Sequence, residues 1–193
     1  MADALAAGTA RVEEINEGGL VPTLRLINDG EVPVLAFDGE ELVGAKQNRV
    51  LSVTILAPPH ATLSIPVACV EQGRWRYKSR TFAASEDMLF AKARAKKARA
   101  VRASVARRAG PNADQGEIWS DIADKYAAFR VEADTSAMSD VFENAPLTSR
   151  ATKGILRRAT VRSTLSLRSA VASSASTSSN TSKSGTLANC PVA

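Results

Sequence analysis

Residues 37–51 read FDGEELVGAKQNRVL and bring Glu40, Glu41, Lys46, Gln47, Asn48 and Arg49 together between two apolar runs. A second polar group, Cys69, Glu71, Gln72, Arg74 and Trp75, follows in ACVEQGRWRY. Cations beside carboxylates and aromatic rings suit two jobs. In the first they form a pocket for a phosphorylated, ring-bearing ligand. Lys46, Arg49 or Arg74 would meet phosphate, a glutamate would accept ribose hydroxyls, and Trp75 or Tyr77 would stack on a base. Gly44 and Gly73 would allow close backbone approach. In the second job the same residues pair with one another, as an Arg–carboxylate brace between strands.

Other chemistry is poorly served. His60 and Cys69 stand nine residues apart, nearly 30 Å if extended at about 3.3 Å per residue, too far for a dyad. Cys69 alone reads as a small core residue. One His and two Cys do not build a zinc site, and Asp38, Glu40 and Glu41 read as solvated acids rather than a magnesium site. No metal is expected, and nothing specifies a cofactor or a reaction.

Strand parity decides where the polar cluster points. Arg49, Leu51, Val53 and Ile55 share one face, and Leu63, Ile65, Val67, Cys69 and Glu71 share another. Pairing these runs antiparallel about Pro59 sets Ile55 against Leu63, Val53 against Ile65 and Leu51 against Val67. The same register sets Arg49 against Cys69 and Gln47 against Glu71. The polar residues thus extend the core face. An arginine there needs a carboxylate, and Glu71, Glu40 and Glu41 are the candidates.

The surrounding pattern predicts an α+β fold, with an antiparallel β-rich stretch over 10–80 and two to three helices over 85–145. ARVEEIN and PTLRLIN read as strands, and VPVLAF turns into EELV at Asp38-Gly39, a preferred hairpin dipeptide. Pro66 predicts an edge strand or a bulge. Ser85, followed by Glu86 and Asp87, reads as the cap of a helix reaching Arg108 before Gly110-Pro111, with Ala91, Ala95, Ala98, Val101 and Val105 as its apolar stripe. Ile118, Ile122, Tyr126 and Phe129 form the stripe of a second helix, and Ser139 is placed to cap a third.

The 193-residue chain carries a net charge of +5, but the excess is local. Residues 146–193 hold seven Lys or Arg and no acid, leaving 18 basic against 20 acidic residues in 1–145. The basic face of helix 92–108 is read as solvated, so nucleic acid is not expected as a partner. No apolar run approaches the roughly 20 residues of a membrane helix, and Met1–Gly8 lacks the form of a signal peptide. The cytoplasm is the expected compartment.

The motifs GEELVGAKQNRVL, IPVACVEQGRW, SRTFAASEDMLFAKARAKKARAV and WSDIADKY resemble the prokaryotic ARG and Rhodanese-Phosphatase-superfamily-associated protein domain of the first type, over about residues 8–143. The resemblance implies one α+β domain, spanning 8–145, and a role around NAD-derived nucleotides. It also implies association with ADP-ribosylglycohydrolase or rhodanese-phosphatase proteins. Glu40, Glu41, Lys46, Gln47, Asn48, Arg49, Cys69, Glu71, Gln72, Arg74 and Trp75 carry over as ligand-binding candidates, for a nucleotide or ADP-ribose-type molecule.

After Glu143 the chain departs from these relatives, which continue into an apolar hairpin. Residues 146–193 contain 18 Ser or Thr among 48, the composition of a disordered tail. Back-translated and read from the third base, residues 164–182 permit IVFAISGRVVGVDLFEY. The tail is therefore read as frameshifted.

Overall fold

Alternating buried and exposed positions begin at Ala10, and the first strands follow that alternation. The computed structural model describes residues 1–144, and within them the α+β order holds. A short helix, α1 (Ala2–Ala6), leads into β1 (Ala10–Glu14), β2 (Thr23–Asn28), β3 (Val34–Ala36) and β4 (Glu40–Gly44). Then come β5 (Arg49–Leu51), β6 (Ile55–Ala57), β7 (Ala61–Cys69) and β8 (Thr81–Met88), followed by α2 (Ala91–Ala106), α3 (Gln115–Phe129) and α4 (Met138–Asn144). Six strands close a barrel in the order β1-β2-β7-β5-β4-β8, the seam being Val12 opposite Phe82, while β3 and β6 pair separately. Val12, Leu24, Leu26, Leu42, Leu51, Ile65, Val67 and Phe82 fill the interior, each contributing about 1.5–3 kcal/mol of burial.

The β5–β7 register is the expected one, with Arg49 opposite Cys69 and Leu51 opposite Val67. Beyond Leu51 the expectation fails. RVLSVTIL is broken at Ser52–Thr54, Ile55 pairs with Ala36, and Ile65 and Leu63 pair with Leu24 and Leu26. The hairpin across Asp38-Gly39 does not form either. Its two arms join different sheets, because the Asp38 carboxylate is held by Lys97 and Gly39 N–H donates to Leu51 O at 2.9 Å.

Pro66 occupies neither an edge strand nor a bulge. It lies inside β7, where pairing with β2 ends at Thr23 and pairing with β5 begins at Val67. Ser52 N–H donates to Pro66 O at 2.9 Å, but proline has no N–H to return. The ammonium of Lys97 donates to Ser52 O at 3.0 Å and to Leu51 O at 2.9 Å, ending the ladder in place of the missing donor.

Three helix expectations are corrected, the last being Ser139, which lies inside α4 (Met138–Asn144) instead of capping it. Ser85 caps no helix, since residues 81–88 form the strand that closes the barrel, and α2 starts only at Ala91. Tertiary pairing overrides the local cap signal, because without β8 both β1 and β4 would be open edges. The buried stripe of α2 is Ala93, Lys97, Val101 and Ser104, whereas Val105 is exposed. In α3 the Asp114 side chain accepts from Glu117 N–H, and Ile118 and Ile122 are buried as expected. Leu89, Ala93, Ile118, Ile122 and Met138 pack on Val50, Ala68 and Val70, covering the outer face of β5 and β7. No helix among the described residues is long and apolar enough to cross a membrane. The disordered and frameshifted readings of 146–193 fall outside the described residues.

Candidate functional site

Cross-strand partners share a face, so the register shows what the barrel encloses. Arg49 is opposite both Leu42 and Cys69, and Glu14 is opposite Leu24, which is itself opposite Ile65. Arg49, Cys69 and Glu14 therefore point into the barrel with the apolar core, near one end. All three are buried, Arg49 completely.

Arg49 lacks the carboxylate that the sequence demanded. Its Nη1 donates to Gln47 Oε1 at 2.8 Å, while Nε and Nη2 meet no acceptor among the described residues. Burial pushes its pKa down, with Cys69, Glu14 and Glu71 pulling the other way. Glu14 mirrors the situation. Its Oε1 takes the Lys46 N–H at 3.4 Å, and its buried Oε2 has no hydrogen-bond partner among the described residues.

Glu71 is committed elsewhere, to Arg74. Arg74 Nε donates to Glu71 Oε1 at 2.8 Å, and Nη2 lies 2.7 Å from Oε2. Nη1 donates to Ala45 O and Arg76 O, and Nη2 donates to Gly44 O and Asn48 Oδ1. No N–H of this guanidinium remains for a phosphate. Burial raises the Glu71 pKa, but Arg74 and the Asn48 N–H outweigh it and leave the carboxyl below its usual range. Gln47 Nε2 donates to Glu71 O at 2.8 Å, as the register required. The Arg–carboxylate brace exists, but Arg74 makes it.

Cys69 is a buried thiol pushed up by burial, against the lowering pull of Glu71 N–H, Arg49 and the neighbouring Trp119. The Gln115 carboxamide donates to Cys69 O and accepts from Cys69 N–H, both at 2.8 Å, standing in for a further strand.

The rim is aromatic and basic. Lys46 Nζ donates to Gly18 O at 2.8 Å and lies 5.4 Å from the Trp75 ring centre and 5.0 Å from that of Tyr77. The Arg49 guanidinium lies 5.5 Å from the Trp75 ring centre, so Trp75 covers the buried cation. Gly19 has φ +74°, and a Cβ there would come within 3.2 Å of Lys46 and 3.3 Å of Trp75. A side chain at this position would be both strained and crowded.

The structure thus gathers Lys46, Gln47, Asn48, Arg49, Cys69, Glu71, Arg74 and Trp75. Three candidates fall outside this group. Glu41 is opposite Val50 and faces the helices. Glu40 sits toward the other end of β4, where burial raises its pKa against the N-terminal ammonium. Gln72 is exposed and lines a cleft of about 150 Å³ with Trp119, Tyr126 and Ser136. Glu14 and Gln115 are additions that the motifs did not supply, and Lys97, though inside the motif SRTFAASEDMLFAKARAKKARAV, was not among the candidates. The Val12–Glu14 alternation carries the signal for Glu14. Among the described residues no three His, Cys, Asp or Glu gather for a metal ion.

A family model described as ARPP-1, ARG and Rhodanese-Phosphatase-superfamily-associated Protein domain, matches residues 1–183. The chain belongs to this family. The ARPP-1 match starts before residue 8 and takes in part of the Ser-rich segment that the resemblance left out. No curated protein and no solved structure matches the chain. The family description associates ARPP-1 domains with ARG and rhodanese-phosphatase superfamily proteins.

Proposed function

We propose that the Arg49 end of the barrel binds the phosphorylated, hydroxyl-bearing part of a nucleotide such as ADP-ribose. One observation carries this reading: a completely buried guanidinium with two nitrogens, Nε and Nη2, unmet among the described residues, beside a buried carboxylate oxygen also unmet among them. Each unsatisfied buried group costs about 1–3 kcal/mol, more when charged, so the apo barrel holds free energy that a ligand would recover. Phosphate accepts from Arg49, and a ribose hydroxyl donates to Glu14 Oε2. Lys46 adds a second cation at the rim, and Trp75 leaves Arg49 to stack on the ligand. The association with ARG proteins in the family description supports an ADP-ribose-type ligand over a simple anion. No reaction is assigned.

Thermal shift tests this directly. Millimolar ADP-ribose should raise the melting temperature of the wild type by linkage and leave Arg49→Met unshifted. Equal shifts in both proteins, or none in the wild type, would defeat the proposal. The second reading, a non-catalytic interaction module, is favoured by Arg74, which spends its donors on holding neighbouring segments together. It is upheld if a nucleotide panel produces no shift while the folded protein captures a rhodanese-phosphatase partner.

A further inference from the structure

We infer that the segment Trp75–Arg80 is a docking strip for single-stranded nucleic acid; it shares Trp75 with the Arg49 site, but its cations Arg76, Lys78 and Arg80 have no part in the reading above, so their replacement tests the strip alone. No acid stands between Glu71 and Glu86, and Arg76, Lys78 and Arg80 are exposed along this stretch. None of the three forms an ion pair among the described residues, unlike Arg11, Arg25, Arg74, Lys96 and Lys97. Between the cations stand Trp75 and Tyr77, 47% and 50% exposed. Exposed apolar side chains of this size are few in the described residues. Two more of them, Leu20 and Val21, follow Gly19, whose added Cβ would touch Trp75.

The strip is irregular but pinned. Arg74 Nη1 holds Arg76 O at 2.9 Å, Lys78 N–H donates to Ala45 O at 2.9 Å, and Ala45 N–H donates to Ser79 Oγ at 2.9 Å. Gly73 N–H donates to Thr135 O at 2.8 Å just before the strip. Rings and cations are therefore displayed on a fixed frame, and a partner loses little free energy in ordering them. Lys46 lies over both rings and Arg49 over that of Trp75, yet about half of each side chain is still open to a partner. Alternating ring and cation suits a strand of bases and phosphates, where bases stack on rings and phosphates meet cations. An acidic peptide would use the cations and leave the rings idle. The basic residues of α2, by contrast, have no aromatic residue between them.

Fluorescence anisotropy of labelled dT12 with the full chain tests the inference. The tail adds seven cations of its own, so differences between variants decide. Replacing Arg76, Lys78 and Arg80 with Ser should reduce the slope of log K against log[salt] by about 2, at about 0.7 per lost cation. Trp75→Ala should weaken binding by about tenfold, and wild-type tryptophan emission should be quenched more than that of Trp75→Phe. An unchanged melting temperature shows that the fold survives these surface changes. If the triple variant binds as the wild type does, or if dT12 fails to bind at 50 mM salt, the inference is wrong. It also fails if polyglutamate competes as well as dT12.

Discussion

Arg49 and Arg74 are both buried and both inherit the polar motifs, yet their chemical states are opposite. Arg74 has spent its donors, while Arg49 has two left over. Their substitutions should therefore move stability in opposite directions. Arg49→Met keeps the volume and removes the uncompensated charge, and should raise stability by roughly 1–3 kcal/mol in denaturant titration. Arg74→Met strands Glu71 in the interior and should cost about 3–5 kcal/mol. Glu71 adds a pH signature. Its folded-state pKa is depressed, so its contribution is present above the unfolded value of about 4.3 and lost as pH falls through the folded one. Glu71→Gln should flatten that acid limb, which melting curves between pH 3 and 6 would reveal. The position of Arg49 was legible in the sequence through one apolar pair, Leu51 opposite Val67; the other two pairs that suggested the register do not form, because Ile55, Leu63 and Ile65 take partners on other strands. Arg49's lack of a carboxylate was not legible, because Glu71's commitment to Arg74 depends on where the 72–80 chain turns back. Glu14 was overlooked because its neighbours come from barrel closure, which no local pattern announces.

At the scale of elements, α2 matters less as a charged rod than as the bearer of one lysine. Burial pushes the Lys97 pKa down, with Asp38 opposing. The chain keeps the ammonium there because two carbonyls beside Pro66 need its hydrogens. Lys97→Met should cost about 2–4 kcal/mol, since Ser52 O and Asp38 lose their partner and Leu51 O keeps only the Gly39 N–H. The penalty would be read from chemical unfolding with ADP-ribose absent. Ser85→Ala, by contrast, should cost about 0.5–1.5 kcal/mol, because Ser85 Oγ accepts from Asp87 N–H, and should leave helix content unchanged by circular dichroism, because no cap is lost. The sequence misplaced α2 for an intelligible reason. Ser85-Glu86-Asp87 has the chemistry of a helix start, and only the need for a sixth strand forbids it. The stripe of α3 was legible because it is a local pattern, and Ile118 and Ile122 are buried as it requires.

Over the whole molecule, β-rich first and helical second was the right order, but the line between the halves was drawn in the wrong place. The barrel is incomplete without β8, and its ladder is incomplete without Lys97, which lies in the segment read as helical. A chain ending at residue 89 should therefore fail to give protected amides in β1, β4 and β5 by hydrogen exchange, although it contains every strand. This dependence has a temporal side. Synthesis runs from the N-terminus at about 5–20 residues per second, so β1 through β7 emerge before anything exists to seal them. β1 must wait for β8 across most of the barrel's length in sequence, a long-range pairing of the slow kind. Once α2 leaves the ribosome, the closing strand and the lysine become available almost together. If closure waits for β8, Arg49 should lose its water only then, and the nascent chain would be spared a dry, half-built interior.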